Sequence, residues 1–174
     1  MKPMIEELSD PSAADLQGLT QVLLDCVDGG ASVSFMSPLA PARALAFWQD
    51  VAADVRAGRR ALLVARDAAD GAIVGTVQLV LAQPDNQPHR ADLAKMLVHR
   101  RARRQGLAER LMTEAEALAR RRGKRLLVLD TVTGGDAERL YARLGWQRVG
   151  EIPGYALWPQ GGLCGTTLFY RQLS

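Results

Sequence analysis

A chain of 174 residues with 48% hydrophobic and 24% charged side chains is long enough for one domain with a continuous core, and its composition is that of an ordinary soluble globular protein. A net charge of +3 is too mild to imply nucleic acid by itself, and two cysteines, Cys26 and Cys164, are too few for a disulfide framework. No run has signal-peptide or bilayer-spanning character, so the expectation is a cytoplasmic protein. Residues 4–8 read as a short first strand. Asp10 or Ser12 caps a helix with Leu16, Leu19, Leu23 and Val27 on one face, which Gly29-Gly30 stops. Residues 29–41 read as a loop, unusual in carrying the apolar Val33, Phe35 and Met36. A second helix holds Ala44, Phe47, Trp48 and Val51 and ends near Gly58. The period then becomes strand-like. Residues 60–66 and 72–82 are aliphatic runs joined across Asp70-Gly71, and a turn cluster at 83–88 leads into a third strand at 90–98.

That third strand runs into an arginine-dense loop and then into a helix. Leu107, Leu111, Ala115 and Leu118 recur at helical spacing, with Glu109, Arg110, Glu114 and Arg121 on other faces and Gly123 as the stop. Residues 126–130 form a short buried strand. Asp136 caps a short helix with Ala137, Leu140, Tyr141 and Leu144 on one side, closed by Gly145. Residues 146–151 and 166–173 read as the last two strands, around a Gly- and Pro-rich loop. There is no repeat, low-complexity tract or linker, so residues 1–174 are one domain.

The entry to the central helix describes an anion socket. A helix's first turn has unpaired amides and a positive dipole end, and Gly106 keeps a Cβ out of a ligand's way. Arg103-Arg104-Gln105-Gly106-Leu107-Ala108, following the strand residue Val98, resembles the Arg/Gln-x-x-Gly-x-Gly/Ala signature of the GCN5-related N-acetyltransferases. The order of strands and helices is similar to that family's over essentially the whole chain. Residues 29–33, Phe35-Met36, 90–92, 129–131 and 150–155 further resemble the tabtoxin-resistance acetyltransferases, a closer subgroup.

The resemblance implies an α/β (α+β) fold with a mixed, mostly antiparallel sheet, flanking helices and splayed central strands. It implies acetyl-coenzyme A as cofactor, held by Met96, Leu97 and Val98 along the strand and by Arg103, Arg104, Gln105, Gly106, Leu107 and Ala108 at the socket. Acyl transfer to an amine needs a base for the ammonium, a donor for the oxyanion and an acid for the departing thiolate. Tyr141, in Arg139-Leu140-Tyr141-Ala142-Arg143, resembles the family's proton-donating tyrosine; a core tyrosine is the other reading. Asp92 and Asp130 compete as base, each readable instead as a solvated strand end or a loop cap. The amide of Val98 or Leu97 is the expected oxyanion donor. Ser32, Val33, Phe35 and Tyr155 are the expected acceptor contacts. Many family members carry an asparagine before the tyrosine helix; the only asparagine here is Asn86, so that contact is replaced or absent.

His89 and His99 give no metal-ligand spacing. The partners expected are a small-molecule amine and a second copy of the chain, with no nucleic acid and no membrane. The alternatives are acetylation of a protein amino group, a nucleic-acid-binding module using residues 99–104, and a catalytically silent cofactor sensor.

Overall fold

The computed structural model describes residues 1–174. Ser12, not Asp10, starts the first helix: its hydroxyl accepts from the Asp15 amide at 3.1 Å, and the Asp15 carboxylate accepts from the Ser12 amide at 2.8 Å. This reciprocal cap satisfies two otherwise orphaned donors. In chain order the elements are β1 (Met4–Glu7), α1 (Ala13–Asp28), α2 (Pro41–Arg56), β2 (Arg60–Arg66), β3 (Ile73–Val80) and β4 (Arg90–Val98). A 3-10 turn (Arg100–Ala102) leads to α3 (Leu107–Arg121), β5 (Leu126–Val132), α4 (Asp136–Arg143), β6 (Gln147–Leu157) and β7 (Leu163–Gln172). The seven strands form one sheet, ordered β1-β2-β3-β4-β5-β7-β6. Every neighbouring pair is antiparallel except β4–β5.

Strand alternation divides the core between the two faces of the sheet. Leu107, Leu111, Met112, Ala115 and Leu118 of α3 pack with Val77, Leu79, Leu127, Leu129 and Phe169 on one face. Leu19, Leu23, Trp48 and Val51 of α1 and α2 pack with Leu62, Val64 and Leu97 on the other. Ala91 and Leu93 of β4 and Leu127 and Leu129 of β5 all belong to the α3 side. Asp92 and Asp130, at the alternate positions of those strands, therefore project toward the α1–α2 side.

The middle of the sheet opens there. The parallel pairing of β4 with β5 is confined to Arg90–Asp92 against Leu126–Val128, after which the two strands part. On the other edge of β4 the register with β3 shifts between Thr76 and Gln78, so Lys95 and Met96 together face Val77. Lys95 takes a left-handed φ of 51° in this bulge. A bulge adds a residue, bends its strand and re-aims side chains. Here it reverses the alternation, placing Leu97 with the α1–α2 core while Val98 packs against the α3 core.

Two expectations need correction. The expected loop between the last strands is mostly strand: β6 continues to Leu157, β7 begins at Leu163, and Trp158 accepts the turn bond from Gly161 at 2.9 Å. Pro153 and Gly154 are tolerated because β6 is the edge of the sheet, where a missing donor breaks no ladder. Asp136 does not cap α4; Gly135 occupies that position without a side-chain bond, and Asp136 sits in the first turn, where its charge suits the helix dipole.

The basic run after β4 is fastened to neighbouring acids. Asp25, in the last turn of α1, accepts from both the amide and Nε of Arg100 at 2.8 Å, and Arg100 Nη2 donates to Asp28 at 3.0 Å. Arg101 pairs with Asp67 at 3.3 Å and Asp70 at 3.2 Å. Burial alone would push the Asp25 carboxyl up, but the Arg100 amide and guanidinium and the nearby His99 hold it below the usual range. A depressed carboxyl contributes stability above its unfolded pKa of about 3.9 and loses it as pH falls through the folded value. Asp25→Asn is expected to be less stable by about 1–3 kcal/mol at pH 7, the cost of removing a charged partner from a half-buried network. Urea unfolding at a series of pH values should show that deficit shrinking below about pH 4.

Candidate active site

The site begins where β4 ends. Gly106, at φ 74°, is the N-cap of α3 and makes no side-chain cap. A Cβ there would meet nothing within 4 Å, so glycine serves the left-handed turn and leaves the space in front open. Arg104 is also left-handed, at φ 57°. None of the amides from Arg104 through Glu109 donates to an acceptor in the chain. A concave run of free amides at a helix N-terminus is an anion cradle.

The side chains around it divide in a way the motif alone did not reveal. Arg103, expected to face the anion, turns back: Nε donates to the Val98 carbonyl at 2.9 Å and Nη2 contacts Cys26 Sγ at 3.7 Å. It braces the strand end that carries the cradle. Gln105 leans on the Arg101 carbonyl at 3.4 Å. Arg104 has no partner and is the cation free to meet a phosphate. Leu107 is buried in the core, so it and Ala108 offer the socket their amides only.

The gap between β4 and β5 lies beside this cradle. The His99 amide donates to the Val74 carbonyl at 2.9 Å. By alternation Leu97 also faces β3, and Val98 turns its amide away from β3 into the gap. Between the two expected oxyanion donors the register selects Val98. Met96 and Val98 pack their side chains against the α3 core, leaving backbone as what this edge can offer a ligand.

Tyr141 stands on the α3 side of the gap. It is 4% exposed, with ring centroids 6.1 Å from Trp146 and 6.0 Å from Phe169. Burial pushes its phenol well above the ordinary range, so the hydroxyl keeps its proton at any physiological pH. Asp92 and Asp130 stand on the opposite side. Asp92 is engaged: Arg90 donates to one oxygen and Gln83 Nε2 to the other at 3.2 Å. Asp130 accepts only from the Thr166 hydroxyl, at 2.7 Å, and has no cationic partner within ion-pair distance. By sequence the two acids are equivalent; their partners distinguish them.

The segment before α2 is strapped over the α1–α2 side of the gap. The Ser37 amide donates to the Pro159 carbonyl at 2.8 Å, Ser32 Oγ lies 3.6 Å from Cys164 Sγ, and Lys95 Nζ donates to Ser34 Oγ at 3.1 Å. Val33 and Phe35 pack against the α1–α2 core, Phe35 edge-on to Phe47 at 5.3 Å. Tyr155, expected beside them, is 58% exposed on β6. A separate concavity of about 380 Å³, with Leu24, Asp25, Pro38 and His99 on its wall, touches none of the candidate catalytic residues. Lys95 and Ser34 were missed from the sequence, although a lysine inside an aliphatic strand is a charge out of pattern.

Comparison with known proteins agrees with this architecture. Residues 32–146 match the model of the acetyltransferase (GNAT) family. Among solved structures, an N-acetyltransferase from Staphylococcus aureus Mu50 superposes with a TM-score of 0.81 at 15% identity, covering 100% of both chains. The protein yncA from Salmonella typhimurium, solved with its cofactor acetyl-CoA, gives 0.79 at 20% identity, covering 100% of this chain and 95% of its own. A ribosomal-protein-alanine N-acetyltransferase from Brucella melitensis gives 0.80 at 21% identity, covering 98% and 99%. At these identities the likeness is one of fold. The family match spans most of the chain, and the chain belongs to the GNAT acetyltransferases. Its class of reaction is acetyl-CoA-dependent acetyl transfer. No three or more His, Cys, Asp or Glu side chains are grouped so as to hold a metal ion, and no helix is long and apolar enough to cross a membrane.

Proposed function

We propose that this chain acetylates the primary amine of a small, amino-acid-like molecule or antimetabolite by direct attack in a ternary complex. The observation that carries the reading is the strap at residues 29–40. It is tied to the β6–β7 hairpin at Pro159, to β7 at Cys164 and to β4 at Lys95, across the side of the sheet that holds Asp130. A peptide tail needs an open trough there, whereas a small amine fits beneath a strap. The amides of residues 104–109 hold the pyrophosphate, the free edge of β4 pairs with the pantetheine arm as an added strand would, and the Val98 amide meets the oxyanion. Asp130 takes the ammonium proton, directly or through water, from one side of the gap. Tyr141 gives its proton to the thiolate from the other, a transfer that is favourable only while the thiolate too is shielded from water.

The nucleic-acid reading loses support because Arg100, Arg101 and Arg103 are committed within the chain. For a second copy of the chain, β6 is the natural seam. It is a terminal strand, and Val149, Ile152 and, on the facing β7, Leu163 (70% exposed) lie uncovered beside it. The function is tested by thiol release from acetyl-coenzyme A with amino acids, polyamines, aminoglycosides and peptide amines. Turnover is expected with small amines. Turnover with peptide amines alone would replace this reading with protein acetylation.

A further inference from the structure

Lys95 has a geometry that acetyl transfer as described does not use. It sits in the β4 bulge, and its positive φ swings the side chain off the α3 face to which a regular strand would have sent it. Its Nζ reaches Ser34 Oγ at 3.1 Å and stands 5.9 Å from the Phe47 ring centroid, on the α1–α2 side under the strap. The nearby cation, Arg60, pairs with Asp54 at 2.9 Å, a carboxylate it shares with Arg59, and is bonded to Gln78 at 2.9 Å. Asp92 is likewise paired, with Arg90. Two charges in this region are left without an ionic partner: the Lys95 ammonium and the Asp130 carboxylate. They act on each other, but not at ion-pair distance.

We propose that Lys95 and the Ser34 hydroxyl hold a carboxylate of the acceptor while Asp130 receives its amine, so that the acceptor is an amino carboxylate. The inference rests on the acetyltransferase reading above and names its substrate class. A partly buried cation with only a hydroxyl and a ring face for company is incompletely compensated, and an anion delivered to it restores the balance. In agreement, burial holds the lysine below its ordinary range, Asp130 opposes that shift, and Arg60 adds to it. A zwitterion bridging Lys95 and Asp130 satisfies both charges at once. That bridge fixes which end of the molecule faces the thioester. A neutral amine leaves the ammonium unpaired, and a diamine sets a second positive charge beside it. The Ser34 contact also makes the strap part of the recognition, because its hydroxyl stands 3.1 Å from the Lys95 ammonium.

The test uses the whole protein saturated with coenzyme A for calorimetry and with acetyl-coenzyme A for thiol release. The probes are the proteinogenic L-amino acids, β-alanine and γ-aminobutyrate, each beside its carboxamide. At least one amino carboxylate is expected to bind and react about 10- to 100-fold better than its carboxamide, the range of one charged hydrogen-bonded contact. Lys95→Met is expected to bring that ratio toward one through KM, and Lys95→Arg to retain part of it. Lys95→Gln serves as a second neutral variant, and coenzyme A affinity in each variant reports an intact fold. Carboxamides used as well as carboxylates, an equal loss on both in Lys95→Met, or no amino carboxylate bound or acetylated would each overturn the proposal while other amines still turn over. Failure to bind coenzyme A, or no turnover with any amine, would instead overturn the acetyltransferase reading itself.

Discussion

Gly106→Pro is expected to lower coenzyme A affinity by at least about 100-fold. Proline fixes φ near −65°, whereas this position lies at 74°, so the turn carrying the cradle must rearrange. The proline also removes one amide, and the rearrangement re-aims its neighbours. Hydrogen bonds to a charged group are worth about 1.5–3 kcal/mol each, and losing two of them gives the stated factor. Gly106→Ala should fall between this variant and the wild type, since alanine pays roughly 1–2 kcal/mol in the left-handed region but keeps its amide. Arg104→Ala should weaken binding only modestly, because its exposed guanidinium supplements the amides and is screened by salt. Isothermal calorimetry with coenzyme A measures all three. Unchanged affinity in a folded Gly106→Pro protein would remove the socket from the argument.

The second large effect is on turnover. Tyr141→Phe keeps the ring between Trp146 and Phe169 and removes only a hydroxyl that makes no hydrogen bond in the chain. Stability should change little, and kcat should fall by about 10²- to 10⁴-fold, the contribution of a positioned acid or base. Asp130→Asn should fall by a similar factor and lose the acidic limb of the pH–rate profile. Asp92→Asn should fall less and chiefly cost stability, because its carboxylate answers Arg90. Pre-steady-state thiol release separates the chemical step from product release. Equal losses in the two aspartate variants would return both to candidacy as the base. Near-full turnover in Tyr141→Phe with chemistry rate-limiting would make the tyrosine a core residue and water the proton donor.

Much of this was legible in residue order. Gly106 before an amphipathic helix is a local signal: the left-handed turn, the free amides and the buried stripe of Leu107, Leu111, Ala115 and Leu118 all lie within a few residues of one another. The family resemblance likewise sufficed to expect Asp92, Asp130 and Tyr141 in the site. What the sequence could not decide depends on partners far along the chain. Arg103 reads as a phosphate ligand until Cys26 and the Val98 carbonyl are brought beside it. Asp92 and Asp130 read alike until Arg90 folds onto one and Thr166 onto the other. The length of β6 was hidden because Pro153 and Gly154 signal a loop except on a sheet edge, and edges are assigned by the order of strands rather than by any one of them. Lys95 is the clearest case. Its place under the strap follows from one extra residue in β4 opposite Val77 and a reversal of alternation, and that is a property of the pairing between two strands.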